Sequence, residues 1–322
     1  NQVDIDRLLI VTFTNAAAAE MRERISAGIA AMQEKFPESE HIERQAALLH
    51  NALITTIDSF CLYLVKNHFQ EIGLDPAFRV ADEGEIKLMK QDVLAALLEE
   101  RFAEKQDAFA ECVEFFCPTG REKNLEEIIL KLHTYADSNP WPQMWLEACR
   151  TAYEIESVED LEKSPIGQYL LEYLQKMCRS LLATMKRLKA LCMEPDGPYM
   201  YGDLAEAEEE QLERLLACTS LSQWEVKLQT LSFKTLSSKK DDTVNPQKRE
   251  LAKNLRNHVK DVLKKINEQF FGILLTTNVE QIKRCKGPVN SLLDLTLEFG
   301  KRLGEKKRER KVLDFSDMEH YA

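Results

Sequence analysis

Residues Leu8 to Ile25 read LLIVTFTNAAAAEMRERI, and no other stretch restricts the fold as strongly. Leu8 to Phe13 is a continuous apolar and β-branched run, which suits a strand buried on both faces, whereas Ala16 to Ile25 consists of good helix formers. A strand must therefore run straight into a helix across the corner Thr12, Phe13, Thr14 and Asn15. Asn15 is a preferred N-cap, able to satisfy an unpaired helix amide. In an open parallel sheet, ligands collect at the carboxyl ends of strands, and a helix N-terminus there favours anions such as phosphate. The same residues also fit an ordinary capped strand-turn-helix.

The first helix should run to about Lys35, with Pro37 and Glu38 to Glu40 as a loop and a second helix over His41 to Leu49. Ala52 to Ile57 (ALITTI) repeats the opening pattern: a short apolar strand, then a helix through Phe60, Leu64 and Val65, capped by Asp58 or Ser59. Val80 to Gly84 has the look of an acid-ended strand, but Arg79 interrupts the apolar run such a strand needs, so a loop and helix cap are expected. From Gly84 to Arg310 the periodicity is almost wholly helical. Ile166 to Met193 is the longest amphipathic helix, and Glu194 to Pro198 ends it; later helices fit Tyr199 to Cys218, Leu221 to Leu231, Pro246 to Phe271 and Val289 to Arg310. The expected fold is mainly α with a partial α/β portion.

Several kinds of chemistry are missing from the sequence. A triphosphate cradle needs GxxxxGK[ST], and no such string occurs in the 322 residues. The eight cysteines are scattered without CxxC spacing, which fits reduced thiols and gives no zinc or cluster site. The six histidines also lack metal-ligand spacing, so neither a catalytic set nor a metal site is expected. No apolar run approaches the ~18 residues of a membrane span. Asn1 stands where an initiator Met would be, and the chain is expected to be a piece of a longer protein.

A net charge of -11 argues against a general basic coat for nucleic acid. Two local reversals stand out against it. Lys234 to Lys265 holds ten basic residues against four acids, and Lys301 to Lys311 holds seven against two. Such islands are candidate phosphate contacts or simply solvated helix faces. Lys239, Lys240, Lys248 and Arg249, beside a polar loop at Asp241 to Asn245, are the candidates for duplex contacts.

TFTNAAAAEMRERI resembles motif Ia of the superfamily 1 DNA helicases, UvrD- and RecB-like motors. Its four alanines are similar to the AddA branch, which supplies one chain of the bacterial ATP-dependent helicase/nucleases; UvrD-type relatives carry a lysine where Ala16 stands. TTIDSFC resembles motif Ib and FQEIGLDPAFRVADEGE its continuation, although Asp58 occupies the place of a histidine that approaches DNA in most relatives. An acid near phosphate is repulsive, so a capping role suits Asp58 better. KVLDFSDMEHYA resembles the segment just before the Walker B strand, with Leu313, Phe315 and Met318 expected against the motor sheet and Asp314 or Ser316 as a cap.

The resemblance implies an incomplete RecA-like motor domain carrying a large helical insertion equivalent to the 1B subdomain. Residues 1–83 and 312–322 would be motor and 84–311 the insertion, the whole lying between the Walker A and Walker B motifs. It implies that Thr12, Phe13, Thr14, Asn15, Thr56, Ser59 and Phe60 line the single-strand track. It further implies a parent enzyme that uses ATP and Mg to unwind DNA 3′ to 5′ and resect duplex ends in double-strand break repair. That parent would be cytoplasmic and paired with a second chain, AddB. This chain would bind neither ATP nor Mg and would be inactive alone. A rival expectation, favoured by the acidic total, is a helical protein-interaction module without DNA affinity.

Overall fold

The computed structural model describes residues 3–121 and 123–322. In chain order it contains β1 (Leu9–Thr12), α1 (Asn15–Lys35), α2 (Glu40–Leu48), β2 (Leu53–Thr56), α3 (Ile57–His68), β3 (Arg79–Val80), α4 (Glu83–Glu104), α5 (Asp107–Phe116) and α6 (Lys123–Asp137). There follow α7 (Pro142–Thr151), α8 (Val158–Lys163), α9 (Pro165–Cys192), α10 (Gly202–Leu216), α11 (Leu221–Thr230), α12 (Pro246–Phe270), α13 (Leu275–Glu309), β4 (Val312–Leu313) and α14 (Phe315–Tyr321). The chain is thus mostly helical with four short strands among the described residues. It divides into two compact units, one of residues 1–110, 117–145 and 294–322, the other of 111–116 and 146–293.

In the first unit β1 and β2 pair in parallel, Leu9 opposite Leu53 and Thr12 opposite Thr56. Arg22 of α1 reaches across β2, its guanidinium donating to the carbonyl of Ile54 at 3.1 Å. β1 is not buried on both faces as its apolar run suggests: Leu9 is 47% and Val11 43% exposed. Among the described residues this sheet has two strands only, so β1 lacks a neighbour on its other side. A second parallel pair joins distant parts of the chain, Arg79 opposite Val312 and Val80 opposite Leu313. The expected loop at 79–80 is therefore a two-residue strand, because the backbone amide of Arg79 donates to Lys311 and that of Ala81 to Leu313, whatever side chain Arg79 carries. The expected cap after it is present, with the Asp82 carboxylate accepting from the Glu85 amide at 2.8 Å.

β4 leads into α14, capped by Asp314 in a reciprocal box with Asp317. Lys307, 7% exposed, closes this turn: its ammonium lies 2.7 Å from the Asp314 carboxylate and 2.9 Å from that of Asp317. Burial alone would lower the lysine pKa, but attraction to Asp317 and Asp314 outweighs it and holds the pKa above its ordinary value. Leu313 and Met318 bury against Cys61 and Val65 of α3. Phe315, expected in the same packing, is instead 57% exposed: it is the first residue of α14, and no earlier turn of the helix lies beside its ring.

The second unit is organised around α9. Leu174, Cys178, Leu181, Met185 and Leu188, at spacings of three and four, are at most 2% exposed. They meet Ala205, Leu212 and Leu215 of α10 and Ala252, Val259 and Leu263 of α12, with Trp224 of α11 fully enclosed in the same cluster. Residues 231–245 form an extended strap without regular structure. Its anchor is Arg256, whose guanidinium grips the buried Glu208 carboxylate and the Lys234 carbonyl. α13 begins at Leu275, fourteen residues before the expected Val289, and passes through Pro288. A proline inside a helix costs about 3 kcal/mol. Burial of Leu275, Val279, Leu292 and Leu293 along the same helix offsets that cost.

Candidate nucleic-acid interface

The carboxyl ends of β1 and β2 lie side by side, and a helix starts from each. Both helices are capped by the threonine at the corner and not by the residues the sequence suggests. Thr14 keeps an extended backbone (φ -132°, ψ 147°) and its Oγ1 accepts from the Ala17 amide at 3.2 Å, so Asn15 is already the first helical residue and is free of the capping duty. Thr56 likewise accepts from the Ser59 amide at 3.3 Å, displacing Asp58 and Ser59 from that role. The short threonine side chain can cap in both places because each strand ends with its backbone still extended.

The corner brings Thr12, Phe13, Thr14 and Asn15 together with Thr56, Ser59 and Phe60 at one edge of the sheet. Phe13 is 94% exposed, and among the described residues no other large apolar side chain is so bare. Thr12 turns inward, its hydroxyl donating to the Thr14 carbonyl at 2.9 Å, which stiffens the turn that projects Phe13. Thr56 is buried, its hydroxyl donating to Ser59 Oγ at 2.9 Å, so it holds Ser59 in place while Ser59 itself is exposed. Phe60 is half-buried. Asp58 is exposed in the first turn of α3, where its charge suits the helix dipole and repels a phosphate. The edge offers two helix N-termini, hydroxyl groups and an aromatic ring, a combination that can hold an anion and stack a base.

The four basic candidates sit in the other unit, around the strap, and are mostly engaged. Lys239 donates to the Tyr199 hydroxyl at 2.7 Å, which holds its pKa above the ordinary value. Lys248 is paired with both Asp196 and Glu194. Arg249 donates to the Lys239 carbonyl at 2.7 Å and to the Tyr201 hydroxyl at 3.1 Å. Lys240 is exposed and makes no ion pair among the described residues. Another member of that island, Arg256, is 5% exposed in its pair with Glu208 and faces no solvent-borne phosphate.

Among the described residues no three His, Cys, Asp or Glu side chains are grouped to hold a metal ion. No GxxxxGK[ST] string, the sequence of a triphosphate-cradling loop, occurs in the chain. Among the described residues no helix is long and apolar enough to cross a membrane.

The family model for the UvrD/REP helicase N-terminal domain matches residues 1–322, and the chain belongs to that family. It is 38% identical over 325 residues to the A subunit of the ATP-dependent helicase/nuclease of Lachnoclostridium phytofermentans, covering 99% of this chain and 24% of that protein. The protein of the same name from Clostridium perfringens is 37% identical, covering 99% of this chain and 25% of its own length. That from Anoxybacillus flavithermus is 36% identical, covering 99% and 27%. The chain spans about a quarter of the length of these relatives.

Proposed function

We propose that this chain is the part of an AddA-type DNA helicase/nuclease that touches DNA between the two ATP-binding motifs. The parent enzyme would unwind and resect duplex ends, 3′ to 5′, in double-strand break repair, using ATP and Mg bound outside these 322 residues. It would do so in the bacterial cytoplasm beside its partner chain, AddB. In this reading β1, β2 and their helices belong to a RecA-like motor domain, residues 1–83 and 312–322, and residues 84–311 are a 1B-like helical insertion, of which 84–110, 117–145 and 294–311 fold in the same compact unit as the motor segments. Pairing of Arg79–Val80 with Val312–Leu313 supports that division, since it brings together the two ends of the inserted segment.

The observation that carries the proposal is the edge where Thr12 and Thr56 lie opposite each other, with Phe13 94% exposed between the helix starts. Phe13 would stack on a base without regard to its identity; Thr14, Asn15 and Ser59 would meet the adjoining backbone, and Thr12, Thr56 and Phe60 would support them. Lys239, Lys240, Lys248 and Arg249 would be duplex contacts, Lys240 directly and the other three by exchanging their present partners. The test is fluorescence anisotropy of a labelled oligothymidylate with the parent chain and with Phe13→Ala. A stacked base is worth about 1–3 kcal/mol, so the variant should bind roughly 5- to 150-fold more weakly. Equal affinity would remove the corner from the strand's path, and absence of DNA binding in both would favour the protein-interaction module that the net charge of -11 also suits.

A further inference from the structure

α10 and α11 meet at the short corner 217–220, and each turns its large apolar side chains to the core: Leu212 and Leu215 on α10, Leu221, Trp224 and Leu228 on α11. Helical spacing leaves Arg214, Ala217 and Cys218 on one side of the corner and Ser222, Val226 and Lys227 on the other. Together with Gln223 they line a groove of about 520 Å³, open to solvent, which no sequence motif announces.

The walls of the groove are fixed in advance. Ser220 caps α11 by accepting from the Gln223 amide at 3.3 Å, and Gln223 Oε1 accepts in return from the Thr219 amide at 2.9 Å. The Ser222 amide and hydroxyl each donate to one oxygen of Glu162 at 2.7 Å, and Gln175 of α9 donates to the Cys218 carbonyl at 3.3 Å. A site held in this way has little left to order when a ligand arrives.

The floor is apolar and the rim is positive. Val226 is 57% exposed, whereas the other exposed positions of α11, Gln223, Lys227, Gln229 and Thr230, are polar. Ala217 is exposed opposite it, and Cys218, 4% exposed, lines the buried end. Burial raises the Cys218 pKa and the charge of Lys227 opposes the rise, which sets that ammonium within electrostatic reach of the groove. Lys227 is exposed and forms no ion pair among the described residues. Arg214 meets Glu210 at 3.2 Å, but both side chains are more than half exposed, and such a pair is weak enough to be exchanged for another acid.

An apolar side chain carried beside carboxylates complements these walls. No aromatic residue lines the groove, so it has nothing on which to stack a base. A small molecule in an open trough would keep much of its surface in water, while ligand pockets enclose most of theirs. A peptide can seat one or two side chains there and leave its backbone outside. We propose that this groove binds a protein partner through a short peptide of acidic and aliphatic residues, the aliphatic side chains against Val226 and Ala217 and the carboxylates on Arg214 and Lys227. The site lies wholly within the second unit and is independent of a DNA strand at Phe13.

The experiment is anisotropy of a fluorescein-labelled ten-residue peptide, eight glutamates followed by two leucines, titrated with the parent chain into the high micromolar range. A second probe carries glycines in place of the leucines. The parent chain is compared with Arg214→Glu/Lys227→Glu, with Val226→Asp, and with Arg24→Glu/Lys87→Glu, which makes the same charge change elsewhere. All five positions are exposed, and circular dichroism checks that helix content is kept. Reversing the two rim charges should weaken binding at least about 10-fold, and the control should stay within about twofold of the parent. Val226→Asp and the glycine probe should each cost about 10-fold or more, since both remove apolar contact. Absence of binding to the parent chain would overturn the proposal. So would a control as damaging as the rim variant, equal affinity for the two probes, or displacement of the peptide by unlabelled duplex DNA or oligothymidylate, which would assign the cations to nucleic acid.

Discussion

Arg256 is the residue whose removal most sharply tests how the second unit is held together. Its guanidinium donates to both oxygens of Glu208, at 2.9 and 2.6 Å, and to the Lys234 carbonyl at 2.5 Å, with side-chain exposures of 5% for Arg256 and 3% for Glu208. Arg256→Met keeps the aliphatic stem and strands the carboxylate. Breaking a buried pair from one side costs about 3–5 kcal/mol. Urea unfolding at pH 7 should therefore show a loss of about 3–5 kcal/mol. The double variant Arg256→Met/Glu208→Leu should recover most of it, since two apolar side chains leave no buried charge. A loss below about 1 kcal/mol at pH 7, or a double variant no better than the single one, would refute the claim that this pair is dry and closed.

Gly167→Ala should destabilise the second unit by at least ~1–3 kcal/mol in thermal unfolding, because an added Cβ would stand 1.9 Å from the Leu161 carbonyl oxygen, which is backbone and cannot swing aside. Asp241 accepts from the Thr243 and Tyr199 hydroxyls, which lower its pKa to about 2. Its folded pKa is depressed, so its support for the strap is present above the ordinary value of 3.8 and is lost as pH falls towards 2; carbon-detected NMR should find the low midpoint, and Tyr199→Phe should move it up. An unmoved midpoint would deny the Tyr199 contact. Among the eight cysteines, Cys149 and Cys285 are partly open and the rest are buried, with burial pushing Cys178 up to about 12. An aromatic disulfide reagent should label those two first, and rapid labelling of Cys178 would contradict the packing around α9.

Local patterns were most readable in the chain where local chemistry decides them. The expected ends of α1 at Lys35, α9 at Ile166 and Met193 and α12 at Pro246 and Phe271 fall within about one residue of the observed ones, because prolines and capping residues act on their own turn. The strand-to-helix corners were also legible, but the capping residue in each was misplaced by one to three positions, since only the backbone angles of Thr14 and Thr56 decide which side chain faces the amides. Contacts between distant segments left no local trace. Pairing of Arg79–Val80 with Val312–Leu313 depends on backbone groups, and the run of α13 through Pro288 depends on burial gained far along the helix. Counting charges along the sequence favoured the 234–265 island, yet Lys248 and Arg256 there are neutralised by Glu194, Asp196 and Glu208 from other segments.

The central claim is that a DNA strand passes over the corner at Phe13. The direct measurement is photocrosslinking of an oligonucleotide carrying 5-iododeoxyuridine to the parent chain, followed by trypsin digestion and mass spectrometry. The account predicts that the modified peptide is Leu8 to Arg22, with the adduct on Phe13, and that Phe13→Ala abolishes it. Crosslinks confined to other aromatic residues, such as the exposed Trp141 or Tyr169, with Leu8 to Arg22 unmodified, would contradict it.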